Sequence, residues 1–486
     1  MKIEKSQQIN PNLSRLIISE EKGLKDAMIK INKNGLGICF VVDKEKKLIN
    51  LLSDGDIRRY LINGLDINSK LNRLPKNNFF YTNVGVELGS IQENIIKYKI
   101  IPVLDNNNIV VDYISKNNLY NIPLINTKFN GAEIKYVNDC LDSGWVSSIG
   151  KYVKKFEDYF SRKFGFNNSL AVSSGTTGLQ LALTALGVGE GDEVILPDLT
   201  FAASINAIIN AKAIPVLADV DIKTACINVD SVEKLINKKT KAIMPVHLYG
   251  NSCDLDSLYK LKEKYNLLII EDCAEALGTK YHNKQVGVLA DAAIFSFFGN
   301  KLITTGEGGM VCFKENQIHS KAKILSAHGM NPKKRYWHDQ IGFNFRLTNV
   351  QAALGLGQLE RIESFLKSKI SLANVYQELL SKNSSFKFQK ITEHCESSYW
   401  LITIFLKDDL IFKRDGIISY LLSKGIECRP CFYPLHEMSP YSKYCKKSPE
   451  NSKYLAYSGI SLPTGILSTK EEIEYVCFEL NNCLYL

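Results

Sequence analysis

The segment FSFFGNK occupies residues 295–301 and is followed by TTGEGG at residues 304–309. The apolar run Ala292–Phe297 overlaps its start and has the composition of a buried strand. A strand therefore runs into a glycine-rich turn, with Lys301 between the two. A lysine in a confined site loses proton affinity and becomes a nucleophile for carbonyl groups. The alternative is an ordinary surface lysine, since the chain has many.

Apolar runs alternate with helical patterns upstream of this segment. The runs cover Val194–Leu196, Pro215–Ala218, Ala242–Val246 and Leu267–Ile270, and helical spacing is found at Leu179–Leu186 and Leu255–Tyr265. This alternation predicts an α/β fold with a mainly parallel sheet covered by helices on both faces. A long helical stretch is predicted from Asn349 to Asn383, followed by a smaller α+β region.

Three further segments carry side chains suited to binding a ligand. The sequence SSGTTG at 173–178 precedes an apolar helix and predicts either an anion cradle of backbone N–H groups or a plain helix cap. Asp272 ends a predicted strand, where ligands bind in open α/β sheets, although it could simply cap the next helix. In GFNFR at 342–346, Asn344 and Arg346 could bind phosphate or carboxylate, or form a turn. An anion cradle, a carboxylate and a lysine are together what pyridoxal phosphate (PLP) requires.

Residues from about 125 to 486 resemble the nucleotide-sugar aminotransferases of PLP fold type I. The resemblance rests on SGWVSS at 143–148, GDEVILP at 191–197, PVHLYG at 245–250, EDCAEALG at 271–278, SFFGNKLITTGEGG at 296–309 and GFNFRLTNVQAALG at 342–355. It implies a large PLP-binding domain at 125–365 and a small C-terminal domain at 366–486. The segments SFFGNK and AHGMNPKKRYWH (327–338) are most similar to members that convert GDP-4-keto-6-deoxymannose to GDP-perosamine.

The resemblance also assigns roles by position. Lys301 matches the lysine that holds PLP covalently, and Asp272 matches the acid that pairs with the pyridine nitrogen. Asn344 matches an asparagine that reaches the phosphate from the neighbouring subunit, which implies a homodimer with shared active sites. The other cofactor contacts implied are Gly175, Thr176 and Ser296 at the phosphate, Phe201 on the ring and Glu275 near the phenolic oxygen.

The activity implied is transfer of an amino group from glutamate to a nucleotide-linked 4-keto-6-deoxy sugar. Relatives with histidine in place of the lysine are sugar 3-dehydratases, so Lys301 favours transamination. A UDP- or dTDP-linked acceptor stays open beside the GDP-linked one. Candidate substrate contacts are His247, His328, Tyr336 and Arg346, although His247 could equally be a structural histidine.

Residues from about 10 to 125 form two related halves and resemble a CBS-domain pair, which we assign to 1–124. The best match is LLSDGDIRRYLINGLD at 51–66, where Ser53 and Asp56 match the residues that bind an adenine nucleotide. The second half keeps Ser115 but has Asn118 where aspartate is usual, so at most one nucleotide site is expected. Two alternatives are a module that only packs or dimerises, and a nucleotide-sensing protein whose enzyme domain is degenerate.

Composition excludes several other classes of protein. The net charge of +9 is spread along the chain without a basic block, so a nucleic-acid partner is not expected. The cysteines are irregularly spaced, and the pair Cys428 and Cys431 lacks a second pair, so no metal site is expected. No signal peptide and no run of about 18 apolar residues is found, which predicts a soluble cytoplasmic protein without a membrane span.

Overall fold

The computed structural model describes residues 13–86, 94, 97–98, 100–115, 122–445 and 448–483. The chain divides into two units, Met1–Ile122 and Pro123–Leu486. Each helix in the described ranges is too short or too polar to span a lipid bilayer.

Two three-stranded sheets of matching topology form the N-terminal unit. The first contains β1 (Ile17–Ser19), β2 (Ile38–Val42) and β3 (Leu48–Ser53), and the second contains β4 (Thr82–Asn83), β5 (Ile100–Leu104) and β6 (Val110–Ser115). In each sheet the first pair of strands is parallel and the second antiparallel. This confirms the internal repeat. Phe40 and Ile100 belong to one buried cluster, so the two halves share a core.

Helices α1 (Leu24–Asn34) and α2 (Asp54–Ile62) belong to the first half. Ser53 caps α2: its Oγ accepts a hydrogen bond from Asp56 N at 3.2 Å, and Asp56 Oδ2 accepts one from Ser53 N at 2.8 Å. This reciprocal pair is a capping box, which satisfies two backbone donors at the helix start. The predicted nucleotide contacts Ser53 and Asp56 thus both order α2. Asn118 lies outside the described residues.

A seven-stranded sheet forms the centre of the C-terminal unit, in the order β7-β15-β14-β11-β10-β8-β9. Its strands are β7 (Asn168–Val172), β8 (Glu193–Pro197), β9 (Ile214–Ala218), β10 (Thr240–Ile243), β11 (Leu268–Asp272), β14 (Ala292–Ser296) and β15 (Gly309–Phe313). All neighbouring pairs from β9 to β14 are parallel, and β15 is antiparallel to both of its neighbours. The mainly parallel sheet predicted from the alternating pattern is confirmed.

Successive side chains of these strands enter two different cores. On β11, Ile269 packs into one buried cluster and Ile270 into the other, and on β8 Ile195 and Leu196 divide in the same way. Both faces of the sheet are therefore covered, as the period of two along a strand requires. The surrounding helices are α3 (Glu133–Asp142), α4 (Lys151–Phe164), α5 (Gly175–Ala185), α6 (Ala203–Asn210), α7 (Val229–Leu235), α8 (Leu255–Tyr265), α9 (Asn316–Ser326) and α10 (Asn349–Leu359).

The long helix predicted over residues 349–383 is instead two helices, α10 and α11 (Ile362–Leu380), which corrects that prediction. Arg361 leaves helical geometry between them and pairs with Glu133. The predicted domain boundary at residue 365 falls inside α11.

The chain after α11 forms a four-stranded antiparallel sheet, β16-β18-β20-β19. Its strands are β16 (Phe386–Phe388), β18 (Ile402–Leu406), β19 (Arg429–Pro430) and β20 (Gly459–Leu462), and its helices are α12 (Arg414–Ser423), α13 (Glu450–Ser458) and α14 (Lys470–Cys483). A separate small antiparallel sheet joins β12 (Lys280–Tyr281), β13 (Lys284–Gln285) and β17 (Cys395–Glu396).

The carboxyl ends of β8, β10, β11 and β14 meet at one edge of the large sheet because these strands are parallel. The start of β15 reaches the same edge, where Gly309 lies against the beginning of α5. A Cβ atom on Gly309 would lie 2.8 Å from the carbonyl carbon of Ser174 and 2.9 Å from the nitrogen of Gly175. Glycine at this position lets two backbone segments approach closely, which keeps the start of α5 at the strand ends.

Candidate active site

A cavity of about 440 Å³ lies at this edge of the sheet. Its walls come from the segments that follow β7, β8, β11 and β14, together with residues of the four-stranded sheet and the segment that leads into it. Its volume falls within the range of roughly 300–1,000 Å³ that small-molecule sites occupy. The charged side chains among its described lining residues are Asp272, Glu275, Lys301, Glu307 and Arg429.

Asp272 is the last residue of β11, and its carboxylate is buried at the cavity wall. Ser204 Oγ donates a hydrogen bond to Asp272 Oδ2 at 2.8 Å, and the backbone N–H of Ala274 donates to Oδ1 at 3.1 Å. Burial raises the pKa of the Asp272 carboxyl above its usual range, and these two hydrogen bonds oppose that rise. A buried carboxylate of this kind is stabilised by a cation beside it.

Lys301 follows β14 and places its amine in the same cavity. Lys301 Nζ lies 3.5 Å from Glu275 Oε1, and it lies 3.8 Å from the centre of the Trp400 ring. The backbone N–H of Tyr249 donates to the other oxygen of Glu275 at 2.9 Å, which fixes that carboxylate. Burial raises the pKa of Glu275, and the charge of Lys301 opposes the rise. The amine is thus confined between a carboxylate and an indole.

The beginning of α5 supplies an anion-binding wall. Ser174 is its N-cap residue, and Ser174 Oγ accepts a hydrogen bond from Thr177 N at 3.1 Å. Gly175 and Thr176, the first two residues of the helix, line the cavity, and amides at these positions have no acceptor within the helix. Ser296 also lines this wall, and a Cβ on Gly175 would lie only 3.1 Å from Ser296 Cβ. The wall therefore combines free amides, hydroxyls and the positive end of a helix dipole.

Aromatic side chains form the remaining walls. Phe201 follows β8, is 60% exposed, and has its ring centre 5.8 Å from that of Phe432. Tyr249 stacks on Phe432 at 5.7 Å and on Trp400 at 6.3 Å. The exposed face of Phe201 is available to a planar ring in the cavity.

Two protein families match parts of this chain. Residues 128–481 match the DegT/DnrJ/EryC1/StrS aminotransferase family, and residues 13–63 match the CBS domain. The chain belongs to this aminotransferase family. It is 41% identical to the GDP-perosamine synthase of Vibrio cholerae over 365 residues, which are 75% of this chain and 98% of that protein. It is 42% identical to the GDP-perosamine synthase of Escherichia coli O157:H7 over 360 residues, which are 74% and 98% of the two chains.

Solved structures of similar fold contain the cofactor. The sugar aminotransferase Spr1654 from Streptococcus pneumoniae in its PLP form aligns with a TM-score of 0.70 and 30% identity, covering 75% of this chain and 98% of that one. An E. coli GDP-4-keto-6-deoxy-D-mannose-3-dehydratase with bound hydrated PLP aligns with a TM-score of 0.71 and 26% identity, covering 74% and 99%. This aminotransferase is therefore an enzyme whose cofactor is PLP.

The side chains of the cavity fit PLP. An aldehyde needs an amine, which Lys301 provides; a protonated ring nitrogen needs a buried carboxylate, which Asp272 provides. The start of α5 offers the amides that a phosphate needs. All of these groups line one cavity of suitable size.

His247 is placed differently from the prediction of a substrate contact. It is completely buried and does not line the cavity. Its Nδ1 accepts a hydrogen bond from Cys253 N at 3.2 Å, so the proton lies on Nε2, which is 2.9 Å from Glu271 Oε2. Both ring nitrogens are engaged within the protein, which favours the structural alternative for this histidine. Its own N–H donates to the carbonyl of Asp272 at 3.1 Å and so supports the end of β11.

The same histidine belongs to a buried group of potential metal ligands. Atoms of His247, Glu271 and Cys273 lie within 4.8 Å of one another. Tyr259 donates to Glu271 Oε1 at 2.7 Å, so the carboxylate already has two partners. Because Nδ1 accepts a hydrogen bond, the imidazole proton is on Nε2, and a metal bound to Nε2 would have to displace that proton. The group is best described as a hydrogen-bonded core.

Four other predicted residues do not line the cavity of their own chain: Asn344, Arg346, His328 and Tyr336. Arg346 Nη2 donates to Asn344 Oδ1 at 3.2 Å on the surface, and Tyr336 is 77% exposed. Substrate contacts by Arg346, His328 and Tyr336 stay predictions, and within one chain this segment lies beyond β15 and α9, away from the strand ends.

Sequence reasoning missed Ser204, Trp400 and Arg429. Ser204 lies three residues after Phe201, at the start of α6, so helical spacing could have indicated that both face the site. Trp400 and Arg429 come from a distant part of the chain, and no local pattern connects them with Lys301.

Replacing Ser204 with alanine is expected to weaken PLP binding by about tenfold at neutral pH, because a hydrogen bond to a charged acceptor is lost. The variant also raises the pKa of Asp272 further. As pH falls, Asp272 becomes protonated and loses the charge that the cofactor ring needs. The decrease in PLP affinity at low pH should therefore begin at a higher pH in the variant. Equilibrium titration of PLP at several pH values measures both effects. Ser320→Ala on the surface of α9 is the matched control. If the pH at which PLP affinity decreases were unchanged in Ser204→Ala, the proposed role of Asp272 in PLP binding would be contradicted.

Proposed function

We propose that this aminotransferase transfers the amino group of glutamate to the 4-keto carbon of GDP-4-keto-6-deoxymannose, giving GDP-perosamine. The supporting observation is identity of 41–42% with two GDP-perosamine synthases over 98% of their lengths. The alternatives are UDP- or dTDP-linked keto sugars, because the chemistry at Lys301 would be unchanged.

PLP supplies a carbonyl for the amine and an electron sink for the carbon that loses its proton. In our proposal Lys301 Nζ would hold the cofactor until the amine of glutamate displaces it. The freed Lys301 amine would then take the proton from the α-carbon of glutamate and, in the second half of the reaction, would give a proton to the sugar carbon that gains the amine. Glu275 lies 3.5 Å from Nζ and stabilises the amine when it is protonated. Asp272 keeps the ring nitrogen protonated, and Phe201 supports the ring. Gly175, Thr176 and Ser296 bind the phosphate.

Arg429 is proposed to bind the anionic parts of both substrates. Lys301 and Arg429 are the only cationic residues among the described residues of the cavity lining. Arg429 Nη2 donates to Glu427 Oε1 at 2.9 Å, and Glu427 Oε2 accepts from Leu124 N at 2.9 Å, so the guanidinium is oriented from behind. A carboxylate of glutamate and the diphosphate of a nucleotide sugar both suit a guanidinium.

Substituting Arg429 with methionine keeps much of the side-chain bulk and removes the charge. We expect the KM for glutamate and for the sugar nucleotide each to rise by about tenfold, since a charge-assisted hydrogen bond is lost from both complexes. Steady-state kinetics with each substrate varied in turn measures this. Arg58→Met, on the surface of the N-terminal unit, is the control. Unchanged KM values in Arg429→Met would remove Arg429 from substrate binding.

The function is tested by an acceptor screen. Purified protein with PLP and glutamate is incubated with GDP-, UDP- and dTDP-linked 4-keto-6-deoxy sugars, and products are weighed by mass spectrometry. We expect an amino sugar from the GDP-linked acceptor and a rate reduced by at least about 10³-fold in Lys301→Ala, because the proton-transfer group is lost. Lys314→Ala on the surface is the control. A product from a UDP or dTDP acceptor alone would replace the proposed substrate, and an active Lys301→Ala would overturn the mechanism.

Two proposals concern partners. Asn344 is proposed to reach the PLP phosphate of a neighbouring subunit in a homodimer, which is supported by its position outside its own cavity. The N-terminal unit is proposed to bind an adenine nucleotide near Ser53 and Asp56, supported by the CBS match over residues 13–63.

For the nucleotide, AMP, ADP or ATP should raise the melting temperature of the protein, since a ligand that binds the folded state stabilises it. Scanning calorimetry of the full chain with each nucleotide measures this. Asp56→Ala, which removes the proposed ribose contact, should lose the shift. If none of the three nucleotides changes the melting temperature or the transamination rate, a packing role alone is left for this unit.

A further inference from the structure

Lys369, in the second turn of α11, is only 2% exposed. Its ammonium donates hydrogen bonds to the carbonyl oxygens of Trp400, at 2.9 Å, and Thr464. Within the described ranges it forms no salt bridge, and burial lowers the pKa of Lys369 to about 7. Burying an ammonium without an acidic partner costs free energy of folding. The two hydrogen bonds to main-chain carbonyls offset part of this cost, which indicates a structural role for Lys369.

The two carbonyls lie side by side just beyond the paired strands β18 and β20. Ile402 pairs with Leu462, and two residues further out Trp400 faces Thr464, whose Oγ1 donates to the Trp400 carbonyl at 3.1 Å. Tyr376, two turns along α11, donates to Pro463 O at 2.9 Å. Side chains seven residues apart lie on one face of a helix. Helix α11 therefore binds the two segments next to β18 and β20, at the point where the pairing of these strands ends.

The side chain of Trp400 connects this attached segment to the residues of the cavity. Trp400 Nε1 donates to the carbonyl of Asn300 at 2.8 Å, and the ring centre lies 3.8 Å from Lys301 Nζ. Lys369 therefore fixes the backbone of the residue that both holds the chain before Lys301 and covers its amine. The path from Lys369 Nζ to Lys301 Nζ passes through a single residue.

We propose that Lys369 is a positioning residue for transamination: it holds Trp400 so that the indole shields the Lys301 amine from water and keeps it directed into the cavity. The proposal rests on the proposed role of Lys301. Without Lys369 the buried carbonyl of Thr464 loses this donor, and the carbonyl of Trp400 keeps only the hydroxyl of Thr464. The segment at Trp400 then loosens, and water reaches the amine. Proton transfer then slows, because a small displacement of a reacting group costs a large factor in rate.

The test uses full-length Lys369→Met, which keeps a similar apolar stem and removes the ammonium. Trp145 and Trp337 are first replaced with phenylalanine, which leaves Trp400 as the sole tryptophan. Acrylamide quenching of Trp400 is measured without cofactor and with PLP bound. We expect quenching to rise at least about twofold and kcat to fall by roughly ten- to a hundredfold, while KM values change little. Lys367→Met, exposed on the same helix, is the matched control and leaves all three unchanged.

A purely structural Lys369 would lower only the melting temperature, so unchanged quenching and kcat in a folded Lys369→Met overturns the proposal. A double-mutant cycle tests the route: once Trp400 is leucine, Lys369→Met should reduce kcat no further. Additive losses would show that Lys369 acts elsewhere. If Lys369→Met does not fold, Lys369→Gln retains a donor for one carbonyl and should give a smaller loss in the same direction. Quenching needs no acceptor, so a failed acceptor screen leaves this test intact.

Discussion

The architecture of the site depends on one buried carboxylate at the end of a strand. Asp272 receives hydrogen bonds from Ser204 and Ala274 N and has little contact with solvent, so its charge needs a cation in the cavity. The preceding residue, Glu271, points to the opposite side of β11 because side chains alternate along a strand. There it accepts hydrogen bonds from His247 and Tyr259. The alternation of side chains along β11 thus places two adjacent acids in different environments: Asp272 faces the cavity, and Glu271 belongs to the core.

The parallel sheet brings the other groups to this carboxylate. Each parallel strand ends at the same edge, so residues far apart in the chain, such as Gly175, Phe201 and Lys301, meet there. Lys301 lies on the connection of residues 297–308 between β14 and β15. The reversed strand β15 does not disturb this, because Gly309 allows its start to lie against the backbone of Ser174 and Gly175. The acid ends a strand and the anion wall begins a helix, so both are held by regular structure, which is what pre-organised chemistry needs, whereas the amine lies on the connection that follows β14.

The sequence predicted those parts of the site that depend on local pattern. Asp272 ends an apolar strand, Lys301 and Gly175 each follow one, and all three line the cavity. His247 also follows a strand, but a motif does not reveal on which side of the strand end a side chain lies, and here it lies in the core. Trp400 and Arg429 escaped prediction because their place follows from how the four-stranded sheet packs, which one sequence does not encode in any short window. The sequence also did not predict the break between α10 and α11, because the helical spacing of apolar residues continues through it.

Two buried charges of opposite sign show how to distinguish a ligand-binding group from a positioning one. Lys369 has its hydrogen-bonding capacity directed at main-chain carbonyls of Trp400 and Thr464, so its charge is balanced by dipoles that never leave the protein. Among the described residues, Asp272 has two protein donors for a group that can accept about four hydrogen bonds, and its remaining capacity faces a cavity. A charge whose partners are all internal can act only through the geometry it maintains. In our proposals Lys369 therefore influences the chemistry through Trp400, whereas Asp272 acts on the cofactor directly.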